Sequence, residues 1–107
     1  MGLIDFFRRK DNSPLVGCWQ LVRVEGPAHD PDEVELDFRP GGHLIYSTKE
    51  GSSWNIKRLH YHLEGSVIIS SDHIRTGFTI ESNGTLRLDS IDNCTWYERG
   101  PKRAPEP

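Results

Sequence analysis

The sequence predicts an all-β domain of eight short antiparallel strands, arranged as a sandwich or a barrel, and three observations predict it. From Pro14 onward, β-branched and aromatic runs alternate with turn clusters: Gly26-Pro27, Arg39-Pro40-Gly41-Gly42, Glu50-Gly51-Ser52-Ser53, Glu64-Gly65-Ser66, Ser71-Asp72-His73, Ser82-Asn83-Gly84 and Asp92-Asn93. The clusters recur roughly every ten residues, the spacing of antiparallel sandwiches and barrels. No interval is long enough for a crossover helix, so strands must pair with their sequence neighbours.

The eight runs are 15–24, 33–39, 43–49, 53–63, 66–71, 74–81, 85–91 and 94–99. Val34, Leu36 and Phe38 share one face of the second run while Glu33, Glu35 and Asp37 share the other. Ile74, Thr76, Phe78 and Ile80 repeat that alternation in the sixth, as do Leu86 and Leu88 against Arg87 and Asp89 in the seventh, so one face is buried and the other wet. In the long fourth run Trp54 and Ile56 have one parity and Leu59, Tyr61 and Leu63 the other, which predicts a bulge near Lys57 and Arg58.

Ahead of the sheet, residues 1–13 form a short amphipathic segment: Leu3, Ile4, Phe6 and Phe7 are followed by Arg8, Arg9 and Lys10, a pattern compatible with a helix whose cations lie near its C-terminal end. So short a helix does not hold alone in water and must dock, on one end of this domain or on a protein partner or membrane surface. Residues 100–107 contain Pro101, Pro105 and Pro107 and are expected to be a disordered tail, leaving 14–99 as the domain.

The first strand opens on Leu15-Val16-Gly17-Cys18-Trp19-Gln20-Leu21, which resembles the Gly-x-Trp start of the lipocalins and the wider calycin group. Leu36-Asp37-Phe38 leading through Gly41-Gly42 to His43-Leu44, Asn83-Gly84-Thr85-Leu86-Arg87-Leu88, and Trp96-Tyr97-Glu98-Arg99 are similar to the strand-turn-strand phrases of small bacterial lipocalin-like domains. The likeness covers 14–99. It implies an eight-stranded antiparallel up-and-down β-barrel, with Trp19 pointing into the floor, Arg99 lying across its ring, and Gly17 permitting close backbone approach beneath.

Such a barrel is only just wide enough to be filled by side chains or to hold one small ligand. Parity from Trp19 points Leu21, Arg23, Leu36, Phe38, Leu44, Tyr46, Tyr61, Phe78, Leu86 and Leu88 inward. Arg23 then has two readings, because a buried unpaired guanidinium is prohibitively costly. Either it reaches solvent, at the rim or by reversing face at a bulge between Val22 and Val24, or it anchors a ligand carboxylate with Tyr46 or Tyr61, the way fatty-acid-binding members of the group use interior Arg and Tyr. Arg23, Tyr46, Tyr61 and Phe78 are accordingly the candidate ligand contacts, and the expected function is non-catalytic binding of a small hydrophobic or amphipathic molecule in a shallow barrel. The alternative is an inhibitor or immunity-type protein-interaction module that uses the barrel as a scaffold and Leu3, Ile4, Phe6 and Phe7 as contacts.

Composition narrows the other classes. The chain has 107 residues and a net charge of −3. Each terminal segment is net positive by one, so the acidity lies in the domain, where Glu25, Asp30, Asp32, Glu33, Glu35 and Asp37 follow one another with no intervening Lys or Arg. That stretch repels a polyphosphate backbone, and no nucleic-acid partner is expected. No apolar run reaches the length of a membrane span, and the N-terminus places its charges after its apolar residues, the reverse of a secretory signal, so a soluble cytoplasmic protein is expected.

Cys18 and Cys94 do not sit at a metal-ligand spacing and are expected as reduced thiols, although closure of a barrel would make their strands neighbours and bring the thiols close. His60 and His62 flank Tyr61 with the spacing of a zinc pair, but with Tyr61 inward both face water. The acidic loop from His29 to Glu33 lacks the glycine and ligand count of a calcium loop. With no nucleophile elbow and no glycine-rich phosphate loop, no catalytic residue, metal or cofactor is expected.

Overall fold

A computed structural model describes residues 14–27 and 33–107. Eight strands follow in order: β1 Gly17–Glu25, β2 Glu33–Arg39, β3 His43–Glu50, β4 Ser53–Glu64, β5 Val67–Ser70, β6 Arg75–Ile80, β7 Leu86–Asp89 and β8 Cys94–Arg99. Each pairs antiparallel with the next and β8 returns to pair with β1, closing a barrel with no crossover. The all-β, eight-stranded antiparallel class read from the turn spacing is therefore the observed one. Among the described residues no helix is long and apolar enough to cross a membrane. The N-terminal segment with Leu3, Ile4, Phe6 and Phe7 lies outside the described residues, as does the acidic loop around Asp30.

The interior is an ordinary apolar core. Trp19, Val34, Leu36, Phe38, Leu44, Ile68, Leu86 and Tyr97 are buried, with Leu21, Leu59, Tyr61, Leu63, Phe78 and Leu88 packed against them. The strand pattern dictates this arrangement, since alternate residues of every strand point inward and the barrel leaves little space between opposite walls.

Of the two bulges that the sequence raises, one is absent and the other present. β4 pairs with β3 without interruption from His43 opposite His60 to Glu50 opposite Ser53, so the bulge expected near Lys57 and Arg58 is absent. Trp54 and Ile56 simply face outward, half-buried on the outer wall, with Lys49 Nζ 5.7 Å from the centre of the Trp54 ring. The irregularity lies in β1: Leu21 pairs with Tyr97 and Arg23 with the adjacent Trp96, leaving Val22 as the extra residue.

The tail is the larger correction. Residues 100–107 are not loose but run back along the outer wall over β1, β2 and β3. Gly100 N donates to Cys18 O (3.1 Å), and Gln20 Nε2 to Pro101 O (2.8 Å). Further along, Arg39 bonds the Glu106 carboxylate at 2.5 and 2.8 Å, and Arg58 donates to Pro107 O (2.8 Å). On this wall Glu35, Ile45 and Ser47 are buried, as is Ala104 of the strap itself. The acids that alternation assigns to water are thus roofed by the cations of the tail.

Candidate ligand cavity

The closed end of the barrel is built first by β1. Trp19, fully buried, donates from Nε1 to Leu15 O at 2.9 Å. Opposite it in the register, Arg99 places its guanidinium carbon 4.2 Å from the Trp19 ring centre and donates to Val16 O (2.9 Å) and Pro14 O (2.7 Å). Gly17 has φ 134°, and a Cβ there would meet Arg99 Nη1 at 2.5 Å, so the guanidinium and a side chain at position 17 compete for one place.

Toward the other end the side chains no longer meet. A cavity of about 120 Å³ remains, walled by Leu36, Phe38, Leu44, Leu59, Ile68, Leu88 and Tyr97 and bordered by Tyr46, Ser70, Asp72, Ile74 and Thr76. The β5–β6 turn shapes this border. Ser70 N donates to Ile74 O (3.1 Å), His73 N to Ser70 O (2.9 Å), and Ser70 Oγ to Asp72 Oδ1 (2.5 Å). The tightness of the turn puts His73 at φ 66°, the left-handed region that non-glycine residues seldom adopt. Tyr46 keeps part of its surface in water, and burial of the remainder pushes its phenol above the usual range, so it stands there as a neutral donor and acceptor.

Of the candidate ligand contacts, Tyr46 borders the cavity. Tyr61 and Phe78 are half-buried in the barrel packing, Tyr61 edge-on to Phe38 with ring centres 5.2 Å apart, and neither lines the cavity. Of the two readings of Arg23, the structure shows the reversal at a bulge and not the ligand anchor. The extra Val22 turns it outward, where it lies 4.4 Å from the centre of the Trp96 ring and pairs with Glu25. It cannot anchor a ligand inside, because a one-residue bulge exchanges the two faces of the strand beyond it. Ser70 and Asp72 border the cavity unforeseen, whereas Thr76 lies on the face that alternation assigns to the interior. Ser71-Asp72-His73 carries a turn signal, and nothing in a turn signal says which of its side chains borders the cavity.

The cysteines are free and lie toward opposite ends of the barrel. β1 and β8 are neighbours, but Cys94 pairs with Glu25 while Cys18 sits near the floor, seven residues back along β1 and about 20 Å away by strand rise. Proximity of the strands did not bring the thiols together. His60 and His62 face outward and exposed, and the ring of His60 lies 4.8 Å from that of His43 across the β3–β4 pair. Among the described residues no group of three or more His, Cys, Asp or Glu side chains is arranged to hold a metal.

Comparison with protein-family models, with curated proteins and with solved structures gives no match to this chain.

Proposed function

We propose that this protein is a non-catalytic, lipocalin-like binding domain that takes a small apolar or amphipathic molecule into the end of its barrel. The observation that carries the reading is the cavity of about 120 Å³ with its apolar walls and polar border. Its size sets the scale of the guest, since an apolar cavity of about 150 Å³ is enough for benzene. A ligand of about six heavy atoms, at about 0.7–1 kcal/mol per atom, would bind with about 4–6 kcal/mol, a Kd between about 50 μM and 1 mM. A larger molecule would leave part of itself outside the mouth.

Native mass spectrometry of protein purified gently from lysate, compared with its denatured mass, tests the proposal. The expected result is an excess mass lost on denaturation, and lost also in Leu88→Trp, which fills the cavity from β7. A bare mass in the native spectrum, together with no thermal stabilisation by millimolar small alcohols and amines, would refute it.

A further inference from the structure

The polar groups at the cavity border have a definite sign. Asp72, exposed on the β5–β6 turn, borders it. One of its oxygens, Oδ1, accepts from Ser70 Oγ, whereas Oδ2 receives no hydrogen bond among the described residues. Tyr46, Ser70 and Thr76 add hydroxyls, which serve either polarity. No Lys, Arg or His is among the described residues that line the cavity.

Three of the cations nearby are turned elsewhere. Arg23 stacks on Trp96 outside the barrel. Arg75 faces the outer wall, 3.6 Å from Glu64. His73 belongs to a separate surface depression with Ile91 and Asn93. Lys57, opposite Tyr46 on β4, points to the inner side of the sheet but stays exposed, forms no ion pair among the described residues and is not part of the cavity wall. Among the residues that line the cavity the one fixed charge is the exposed carboxylate of Asp72, one of whose oxygens is free of hydrogen bonds from the described residues.

We infer that the cavity selects small primary amines, an ammonium group on an apolar body of about five or six carbons, over the corresponding alcohols and carboxylates. The inference rests on the binding proposed above and names its ligand class. The apolar body fills the hole between Leu36, Leu44, Ile68 and Leu88, and the ammonium donates to Asp72 Oδ2 and a neighbouring hydroxyl. A charge-assisted bond to a carboxylate is about twice as strong as a neutral one, and a carboxylate guest would instead meet like charge.

Titration with n-pentylamine, 1-pentanol and pentanoate at pH 7, followed by amide chemical shifts of Ile68, Ser70 and Leu88, tests this with probes of nearly one size. Pentylamine is expected to bind about tenfold more tightly than pentanol, with pentanoate weakest, and the advantage should shrink in high salt. Asp72→Asn should bring the amine to within about threefold of the alcohol while alcohol binding stays unchanged, which also shows that the variant is folded. Asp72→Glu should restore part of the preference. Equal binding of amine and alcohol, or tighter binding of pentanoate through Lys57 and Tyr46, would overturn the amine preference and leave the proposed binding function standing. No response to any of the three would overturn both.

Discussion

Removing residues 101–107 is expected to make Cys18 up to about ten times more reactive toward alkylation at pH 8. The Cys18 thiol is pushed up from 9.0 to about 11, first by burial and then by the charges of Glu35 and Asp37, with Lys102 acting weakly in the opposite direction. The tail crosses this part of the wall, with Gly100 N bonded to Cys18 O and Lys102 paired with Glu35 and Asp37 on the adjoining strand. At pH 8 a thiol of pKa about 11 is about 0.1% thiolate and one of pKa about 9 about 10%, a hundredfold difference in the reacting species. A less basic thiolate is also a poorer nucleophile, and with a Brønsted slope of about 0.5 the two-unit fall returns about tenfold of that gain. The net increase is about tenfold, an upper figure because Glu35 and Asp37 stay in place and the lowering effect of Lys102 is lost with the tail. Peptide-resolved mass spectrometry of iodoacetamide labelling, in a Cys94→Ser background, measures the rate directly. The rate profile against pH should move from a midpoint near 11 toward 9. A Cys18 rate within twofold of the full chain, in a truncated protein that still unfolds cooperatively, would refute the claim that the tail covers this wall.

Three further outcomes follow from the same contacts. Arg99→Ala removes the stack on Trp19 and both bonds to the Pro14 and Val16 carbonyls, and should lower stability in chemical denaturation by about 1–3 kcal/mol. Ser47 Oγ is fully buried without a hydrogen-bond partner among the described residues, so Ser47→Ala should raise stability by about 1 kcal/mol; a loss would mean the hydroxyl is satisfied. Burial alone raises the Glu35 carboxyl, but bonds from Arg103 N, Gln20, Ala104 N and Lys102 outweigh it and hold it below its ordinary value. Stability from this group is therefore complete above the unfolded carboxylate range near about pH 4.3 and is lost as pH falls through the lower folded value. Glu35→Gln should cost about 1–3 kcal/mol at pH 7 and flatten the acid limb of a stability-versus-pH curve.

The strands were legible because most of the walls have one dry face and one wet face, so Leu36 and Phe38, or Leu86 and Leu88, declare their side by alternation alone. That signal weakens where residues of the outer wall are also partly covered. Trp54 and Ile56 lie on the outer wall yet are half-buried, which makes a regular strand look as if it changes phase. At Val22-Arg23-Val24 the reverse holds: apolar residues flank a cation on both sides, and only the pairing of Arg23 with Trp96 decides its face. The tail misleads through its prolines and charges, which look solvated when read alone. Its partners were nevertheless in view, since Lys102 and Arg103 complement Glu33, Glu35 and Asp37 on the outward face of β2. The cavity was the least legible feature. It exists because several wall residues fall short of one another, a property of the three-dimensional closure and not of any segment.

Closure of β8 on β1 also governs how this chain can meet others. A ring has no strand without a neighbour, so strand addition by a partner or by a second copy is confined to stretches paired on one side only, such as residues 53–59 of β4, which meet β3 but lie beyond the β5 pairing. That protection depends on one seam, whose two sides lie some eighty residues apart in sequence and which contains the irregularity at Val22. The other seven pairings join neighbours and can form locally, whereas the seam has to wait for the whole ring. A partly folded chain with the other pairings made and the seam open would present two bare edges at once. Aggregation during folding is therefore expected to respond most strongly to changes along β1 and β8.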